Sequence, residues 1–153
     1  MSKIEARLIE LGHPLPELAK PVAAYVPAVA TGNLVFTSGQ LPFIDGVLPA
    51  TGKVGAEVDP EVAKGYATQC ALNALAAIKY AIGDLDRITR IVKVVGFVAS
   101  PPSFSAQSGV VNGASELLGE LFGDAGLHAR SSIGMAVLPL DAPVEIEIIA
   151  EFK

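Results

Sequence analysis

Two residues near the C-terminus have the types and spacing to do chemistry on a small organic acid. Arg130 opens an almost uncharged segment, Ala129 to Pro139, and Glu145 lies inside the next one, Val144 to Ala150. A guanidinium grips a planar carboxylate through two parallel hydrogen bonds. A glutamate held by a sheet can manage a proton or a water beside it. Both segments read as strands with a short turn between them. They are therefore expected to be hairpin neighbours, with Arg130 at the mouth of one strand and Glu145 within the next. The competing reading of Arg130 is a strand-end residue in a surface salt bridge. Strand alternation puts Glu145 and Glu147 on one side, so a pair of solvent-facing acids also fits.

The elements that must position these residues follow from periodicity and punctuation. Ser2 to Leu11 reads as a short amphipathic helix with Ile4, Leu8 and Leu11 on one side, ended by Gly12 and Pro14. A proline-punctuated connector runs to Pro21. Strands are expected over Ala23 to Ala30 and Leu34 to Gln40, joined by Thr31-Gly32-Asn33. Leu41 to Val58 reads as a loop with a short strand around Val47. Asp59 caps a helix that Pro60 opens and Gly83 closes after Ile82. Ile88 to Ala99 is an apolar strand, rich in Val and Ile. Ser103 or Ser105 is the expected cap of a second helix to Phe122, weakened in its middle by Asn112-Gly113. Gly123 to Gly126 is its exit turn. The order predicts an α+β domain: a mixed, mostly antiparallel sheet with two helices on one face and a short N-terminal helix. Residues 1–20 form the leading helix and connector, and residues 21–153 a single domain.

Composition narrows the functional classes. The chain has 153 residues, of which 51% are hydrophobic, and a net charge of −5. An acidic surface repels phosphate backbones, so generic nucleic-acid binding is disfavoured. Lys93, Pro21 and Pro27 interrupt the longest apolar stretches, so no run reaches membrane-spanning length. The surplus apolar surface is then expected between subunits. No secretory signal pattern is visible at the N-terminus, and a cytoplasmic location is the default expectation. Cys70 is the only cysteine; it lies in a helical pattern and reads as a small buried hydrophobe. His13 and His128, the only histidines, read as surface residues, and no metal-ligand spacing exists. There is no dinucleotide fingerprint, phosphate-cradling loop or nucleophile elbow. No cofactor or metal is expected, and any chemistry must use ordinary side chains, backbone groups and water.

In order along the chain stand Thr37-Ser38-Gly39-Gln40-Leu41-Pro42, then Gln69 with Ala71-Leu72-Asn73-Ala74-Leu75, then Ala129-Arg130-Ser131 with Leu138-Pro139 and Val144-Glu145-Ile146-Glu147. This series resembles the Rid family (reactive-intermediate deaminases, YjgF-like, formerly named L-PSP endoribonucleases), over roughly Pro21 to Phe152. The resemblance implies a chorismate-mutase-like fold and a homotrimer with ligand clefts between subunits. It also implies hydrolysis of enamines and imines of 2-oxo acids to the oxo acid and ammonia. Arg130 matches the family arginine that binds the substrate carboxylate, and Glu145 a glutamate near the attacking water. Ser38 matches a small polar residue lining the cleft, where its hydroxyl or the Gly39 backbone could meet substrate. A strand-end turn residue is the alternative for Ser38. Tyr25 matches a tyrosine contributed across the interface, with a buried structural tyrosine as the alternative.

The chain also departs from the family pattern. Ser132 stands where the deaminases often have cysteine, and Gly134 where an acidic or polar residue is common. Ser132, Gly134 and Ala136 form one small-residue face, which leaves room for a ligand or for close packing. The leading segment, Ser2 to Lys20, is longer than in compact members. These features suggest a divergent subgroup. Two further functions stay in view: a non-catalytic binder of small carboxylates on the same scaffold, and an endoribonuclease. The second has neither a histidine pair nor a basic groove to support it.

Overall fold

The computed structural model describes residues 1–18 and 24–153. The start of the expected first strand at Ala23, and the boundary expected at residues 20 and 21, lie outside the described residues. The sheet is built from β1 (Ala28–Thr31), β2 (Leu34–Thr37), β3 (Ile88–Ala99), β4 (Ala129–Met135) and β5 (Val144–Phe152). Its spatial order is β1-β2-β5-β3-β4, antiparallel throughout except where β3 and β4 run parallel. The expected α+β class and mixed, mostly antiparallel sheet are therefore present.

The expected hairpin of the last two strands is not formed, because β3 lies between β4 and β5. The reason is the crossover. A parallel pair needs a long connection, usually a helix. Here α3 (Gln107–Phe122) supplies it and sets β4 on the outer edge of β3. The chain then crosses the end of β3 through a 3-10 turn at Pro139–Asp141, with Leu140 at φ +58° and Asp141 at φ +56°. It returns as β5 on the other side.

The first hairpin is shorter than expected. Its ladder pairs Thr31 with Leu34 across Gly32, whose φ of +57° lies in the left-handed region that glycine enters freely. The strand near Val47 is reduced to one antiparallel bridge with Ile44, across Asp45-Gly46.

Two long helices cover one face of the sheet. In α2 (Pro60–Ile82) the Asp59 carboxylate accepts from the Glu61 and Val62 amides, and Gly83 ends the helix at φ +86°. α3 starts later than Ser103 or Ser105, at Gln107, with Ala106 at the cap and no side-chain cap bond. The Pro101-Pro102 turn occupies the earlier residues, and the Gln107 amide folds back onto the Phe104 carbonyl at 2.8 Å and Ser100 Oγ at 3.2 Å. The glycine that weakens α3 as an isolated helix is what brings the helices together. A side chain at Gly113 would overlap the Lys64 carbonyl of α2, and Thr68 Oγ1 bonds the Gly113 carbonyl at 3.0 Å. Leu75, Ile78, Leu118, Ile146 and Ile148 are fully buried between these layers, each contributing about 1.5–3 kcal/mol. Cys70 is buried among them, as its helical position predicted.

The leading helix, α1 (Lys3–Glu10), buries Leu8 in the same core. Its first turn is held by a Ser2–Glu5 capping box and by the Asp86 carboxylate, which accepts from the Lys3 and Ile4 amides.

Candidate functional site: two half-sites on opposite faces of one sheet

The first half-site grows out of an irregularity between β2 and β5. Phe36 pairs with Ile149, and Gln40 rejoins Ile146 by a two-bond bridge. The β2 side therefore carries one residue more than the β5 side, which is the condition for a bulge. Thr37 repairs the ladder there, its hydroxyl accepting from the Ile148 amide at 2.9 Å. The displaced residues are Ser38 and Gly39. Ser38 donates its hydroxyl to the Val26 carbonyl at 2.7 Å. Its oxygen lone pairs stay available, but its proton is already used.

Gly39 lies directly against the Glu145 side chain. A methyl group there would fall 2.8 Å from Cδ and overlap Oε1 outright. Only a residue without Cβ lets the carboxylate rest against the bulge backbone. Val144, Ile146, Ile148 and Ala150 of β5 point into the core, so Glu145 and Glu147 occupy the opposite, open face. This is the alternation expected for them. Half-burial beside Phe97, its partner on β3, raises the Glu145 pKa above the ordinary glutamate value, and the like charge of Glu147 adds to the shift.

The second half-site sits on the helix-covered face. Arg130 pairs in register with Val94 of the core, so its side chain turns toward α3. There Nη1 donates to Asn112 Oδ1 at 2.7 Å and to Ser115 Oγ at 3.2 Å, and Nη2 lies 3.5 Å from the Ser108 carbonyl. All three acceptors are neutral. Among the described residues, no carboxylate comes within ion-pair distance of Arg130. The fork is thus oriented but not neutralised, and the surface salt bridge weighed from the sequence is not made. Reading the sequence missed Asn112 and Ser115. Their three-residue spacing puts them on one helix face, but nothing local says that β4 lies beneath it. His128, read as a surface residue, is half-buried and bonded on both ring nitrogens.

Within one subunit these halves do not meet. Glu145 pairs with Phe97, and Phe97 with Ile133, three residues beyond Arg130 on β4. Strand spacing and rise then put the two Cα atoms about 14 Å apart, on opposite faces. Tyr25 is 57% exposed in a single subunit, so it is not part of the subunit's own core. It lies beside Val26, whose carbonyl holds Ser38. Ser132 faces α3 with its hydroxyl sealed from solvent and without a hydrogen-bond partner among the described residues. Gly134 borders a cleft of about 420 Å³, lined by Ser100, Phe104, Gln107 and Met135. It is itself tightly packed there, because an added Cβ would fall 2.8 Å from Gln107 Nε2 and 3.2 Å from Ser100 Oγ. Gln69 and Asn73 hold the chain just after the bulge, with Asn73 Nδ2 donating to the Leu41 and Phe43 carbonyls.

This arrangement defines an α+β domain of the chorismate-mutase-like kind, with polar groups on both faces of its sheet. The family model described as "YjgF/chorismate_mutase-like, putative endoribonuclease" matches residues 5–152, and the chain belongs to that family. It is 42% identical over 152 residues to Protein TCP17 of Trypanosoma cruzi, covering 99% of this chain and 95% of that protein. Among solved structures it is similar to Atu1372 of Agrobacterium tumefaciens, a protein of unknown function, with 48% identity, a TM-score of 0.92 and coverage of 98% and 92% of the two chains. It is also similar to E. coli TdcF with bound serine, with 26% identity, a TM-score of 0.66 and coverage of 90% and 94%. Among the described residues no helix is long and apolar enough to cross a membrane.

Proposed function

We propose that this protein hydrolyses small imines and enamines of 2-oxo acids, releasing ammonia, in clefts shared between the subunits of a homotrimer. The observation that carries the reading is the un-neutralised Arg130 fork, aligned by neutral oxygens and open to a carboxylate. The serine bound to TdcF supports a small carboxylate as ligand. Because the two half-sites lie on opposite faces of one sheet, the cleft takes Arg130 from one copy. Glu145, Ser38 and the Gly39 backbone come from the next. Tyr25, exposed beside Ser38, lines the same cleft.

In this mechanism Arg130 clamps the carboxylate and sets the C=N carbon over a water held by Glu145. The Glu145 carboxylate takes a proton as the water oxygen bonds to carbon, and the imine nitrogen is protonated, giving a carbinolamine. Glu145 hands that first proton to the imine nitrogen, then takes the carbinolamine hydroxyl proton and delivers it to the amine as the C–N bond breaks, so ammonia leaves as the carbonyl forms. Imine plus water yields 2-oxo acid plus ammonia, with no covalent intermediate. A raised pKa suits Glu145 to accepting and returning a proton.

Mixed oligomers test both the residues and the sharing. Arg130→Ala and Glu145→Ala subunits should each be inactive toward a 2-imino acid generated in situ. Refolded together in equal amounts, they should regain about a quarter of wild-type ammonia release, the statistical share of interfaces with both groups intact in a cyclic assembly. Full activity of the Arg130→Ala protein removes the clamp. No recovery on mixing removes the shared cleft. Thermal stabilisation by pyruvate without turnover of any imine would favour the non-catalytic carboxylate binder.

A further inference from the structure

We propose that His128 is a positioning residue for Arg130, acting through the Ser115 hydroxyl; this rests on the reading of Arg130 as the carboxylate clamp. The three groups form one directional chain. His128 Nδ1 lies 2.6 Å from the Gly126 carbonyl, which can only accept, so Nδ1 carries the proton. In the neutral ring Nε2 is then the acceptor, and the Ser115 hydroxyl, 2.9 Å away, donates to it. With its proton committed to His128, Ser115 can offer Arg130 Nη1 only a lone pair, at 3.2 Å. A serine hydroxyl has three staggered wells, and in two of them the proton would leave this line. His128 selects the well that makes Ser115 an acceptor for the guanidinium.

The selection matters because no carboxylate among the described residues fixes Arg130. Its orientation depends on three neutral oxygens. Asn112 makes the short contact at 2.7 Å, and Ser108 only a 3.5 Å one. Ser115 is the second strong acceptor on Nη1, and two acceptors on one nitrogen fix the plane of the fork where one would leave it free to swivel. Among the described residues Nε makes no hydrogen bond and Nη2 only the long Ser108 contact, so these are the nitrogens left for a bidentate partner. His128 is two residues before Arg130 and is fastened to the turn that ends α3. The chain therefore ties the clamp to the helix exit as well as to the helix face.

The test compares His128→Leu, His128→Gln and Ser115→Ala, with Arg130→Ala as reference. Pyruvate affinity is read by calorimetry, and the side-chain resonances by 15N NMR. The wild-type His128 ring should show the Nδ1–H tautomer. In His128→Leu the Arg130 Nε resonance should shift and broaden, and pyruvate should bind about tenfold more weakly, the loss expected of one orienting hydrogen bond. At saturating imine the turnover number should also fall, because a swivelling fork no longer holds the C=N carbon over the water, but by less than in Arg130→Ala. His128→Gln, whose amide oxygen can accept from Ser115, should recover most of the affinity. Ser115→Ala should cost the same as His128→Leu, and the double variant no more than either.

An Nε2–H tautomer, or an Arg130 resonance unchanged in His128→Leu and Ser115→Ala, overturns the relay. Wild-type pyruvate affinity in His128→Leu beside lost affinity in Arg130→Ala also overturns it, while leaving the clamp intact. If Arg130→Ala itself binds pyruvate normally but the tautomer and the Arg130 shift are as expected, the relay stands as an orienting device and the clamp reading fails. Should His128→Leu not fold, Ser115→Ala carries the same readouts, with His128→Gln as the rescue.

Discussion

Replacing Gly39 with alanine isolates the contact that positions Glu145. The new methyl group would fall 2.8 Å from Glu145 Cδ and 3.1 Å from Cγ, and on top of Oε1. The Gly39 backbone lies outside the left-handed region, so alanine meets no conformational strain there. Nor is the obstacle rigid, because the carboxylate is the far end of a flexible, half-exposed side chain. The protein can therefore relieve the collision by moving Glu145, not the fold. The stability cost of that rearrangement, about 1 kcal/mol, is offset by the roughly 0.4–1 kcal/mol that Gly→Ala gains by restricting the unfolded chain. The melting temperature should stay within about 3 °C of wild type. Function should respond differently. Restoring ordinary contact moves the carboxylate by roughly 1 Å or more, and a misplacement on that scale costs on the order of 100-fold in turnover. The assay is ammonia release from a 2-imino acid generated in situ, run as a double-mutant cycle with Glu145→Ala. If the loss passes through Glu145, Gly39→Ala adds nothing once the carboxylate is gone. A further large loss in the Glu145→Ala background would refute the argument, and so would wild-type turnover in the single variant.

Three other outcomes follow from the geometry. Glu147→Gln removes a like charge from the face that holds Glu145, so the Glu145 pKa should fall and the acid limb of the rate profile should move to lower pH. A limb that stays in place would mean that Glu145 does not set it. Glu5 is held down to a pKa of about 2, chiefly by the Lys79 ammonium and the Ser2 amide. A depressed folded pKa stabilises above the unfolded value near 4.5, and that stability is lost as pH falls toward 2. Because Lys79 is partly exposed, Glu5→Gln should cost only about 1–2 kcal/mol at pH 6, a gap that urea titrations should find closing by pH 2. Gly113→Ala drives a methyl group into the Lys64 backbone carbonyl, which cannot swing aside. The cost of about 3 kcal/mol outweighs the roughly 1 kcal/mol that alanine gains over glycine inside a helix, and calorimetry should find a melting point roughly 4–8 °C lower.

What could be read from residues alone divides along a physical line. α2 was legible because its signals are local: Asp59 caps, Pro60 opens, Gly83 closes, and the stripe between them has one period. β3 was legible for the same reason, as a continuous Val- and Ile-rich run. The hairpin of β4 and β5 was misread because adjacency in sequence stood in for adjacency in the sheet, an inference that holds only about two times in three. Arg130 and Glu145 were recognisable by type, but the relation between them depends on the strand inserted between their own. The bulge at Ser38 and Gly39 depends on the register of β5, more than a hundred residues away in sequence. Ser132 stays open between ligand and packing in the sequence because small polar residues fit clefts and cores alike. Only the position of α3 decides between them.

In the proposed oligomer the open face of the sheet links assembly to chemistry. Val29 and Phe36 form a cross-strand pair there at 53% and 39% exposure, and Ile133, beside Phe97, is 41% exposed. These side chains belong to the face that carries Glu145, so the surplus apolar surface of this chain lies around its candidate base. Burial is already the larger cause of the raised Glu145 pKa in a single subunit. On the proposed reading a second copy removes that apolar surface from water and brings Arg130 to the cleft. The same event desolvates Glu145 further, which pushes its pKa up, while the Arg130 charge pulls it down until a substrate carboxylate occupies the fork. Glu145 would then be poorly tuned as a base in an isolated subunit, and assembly with substrate bound would supply its partner and its basicity together.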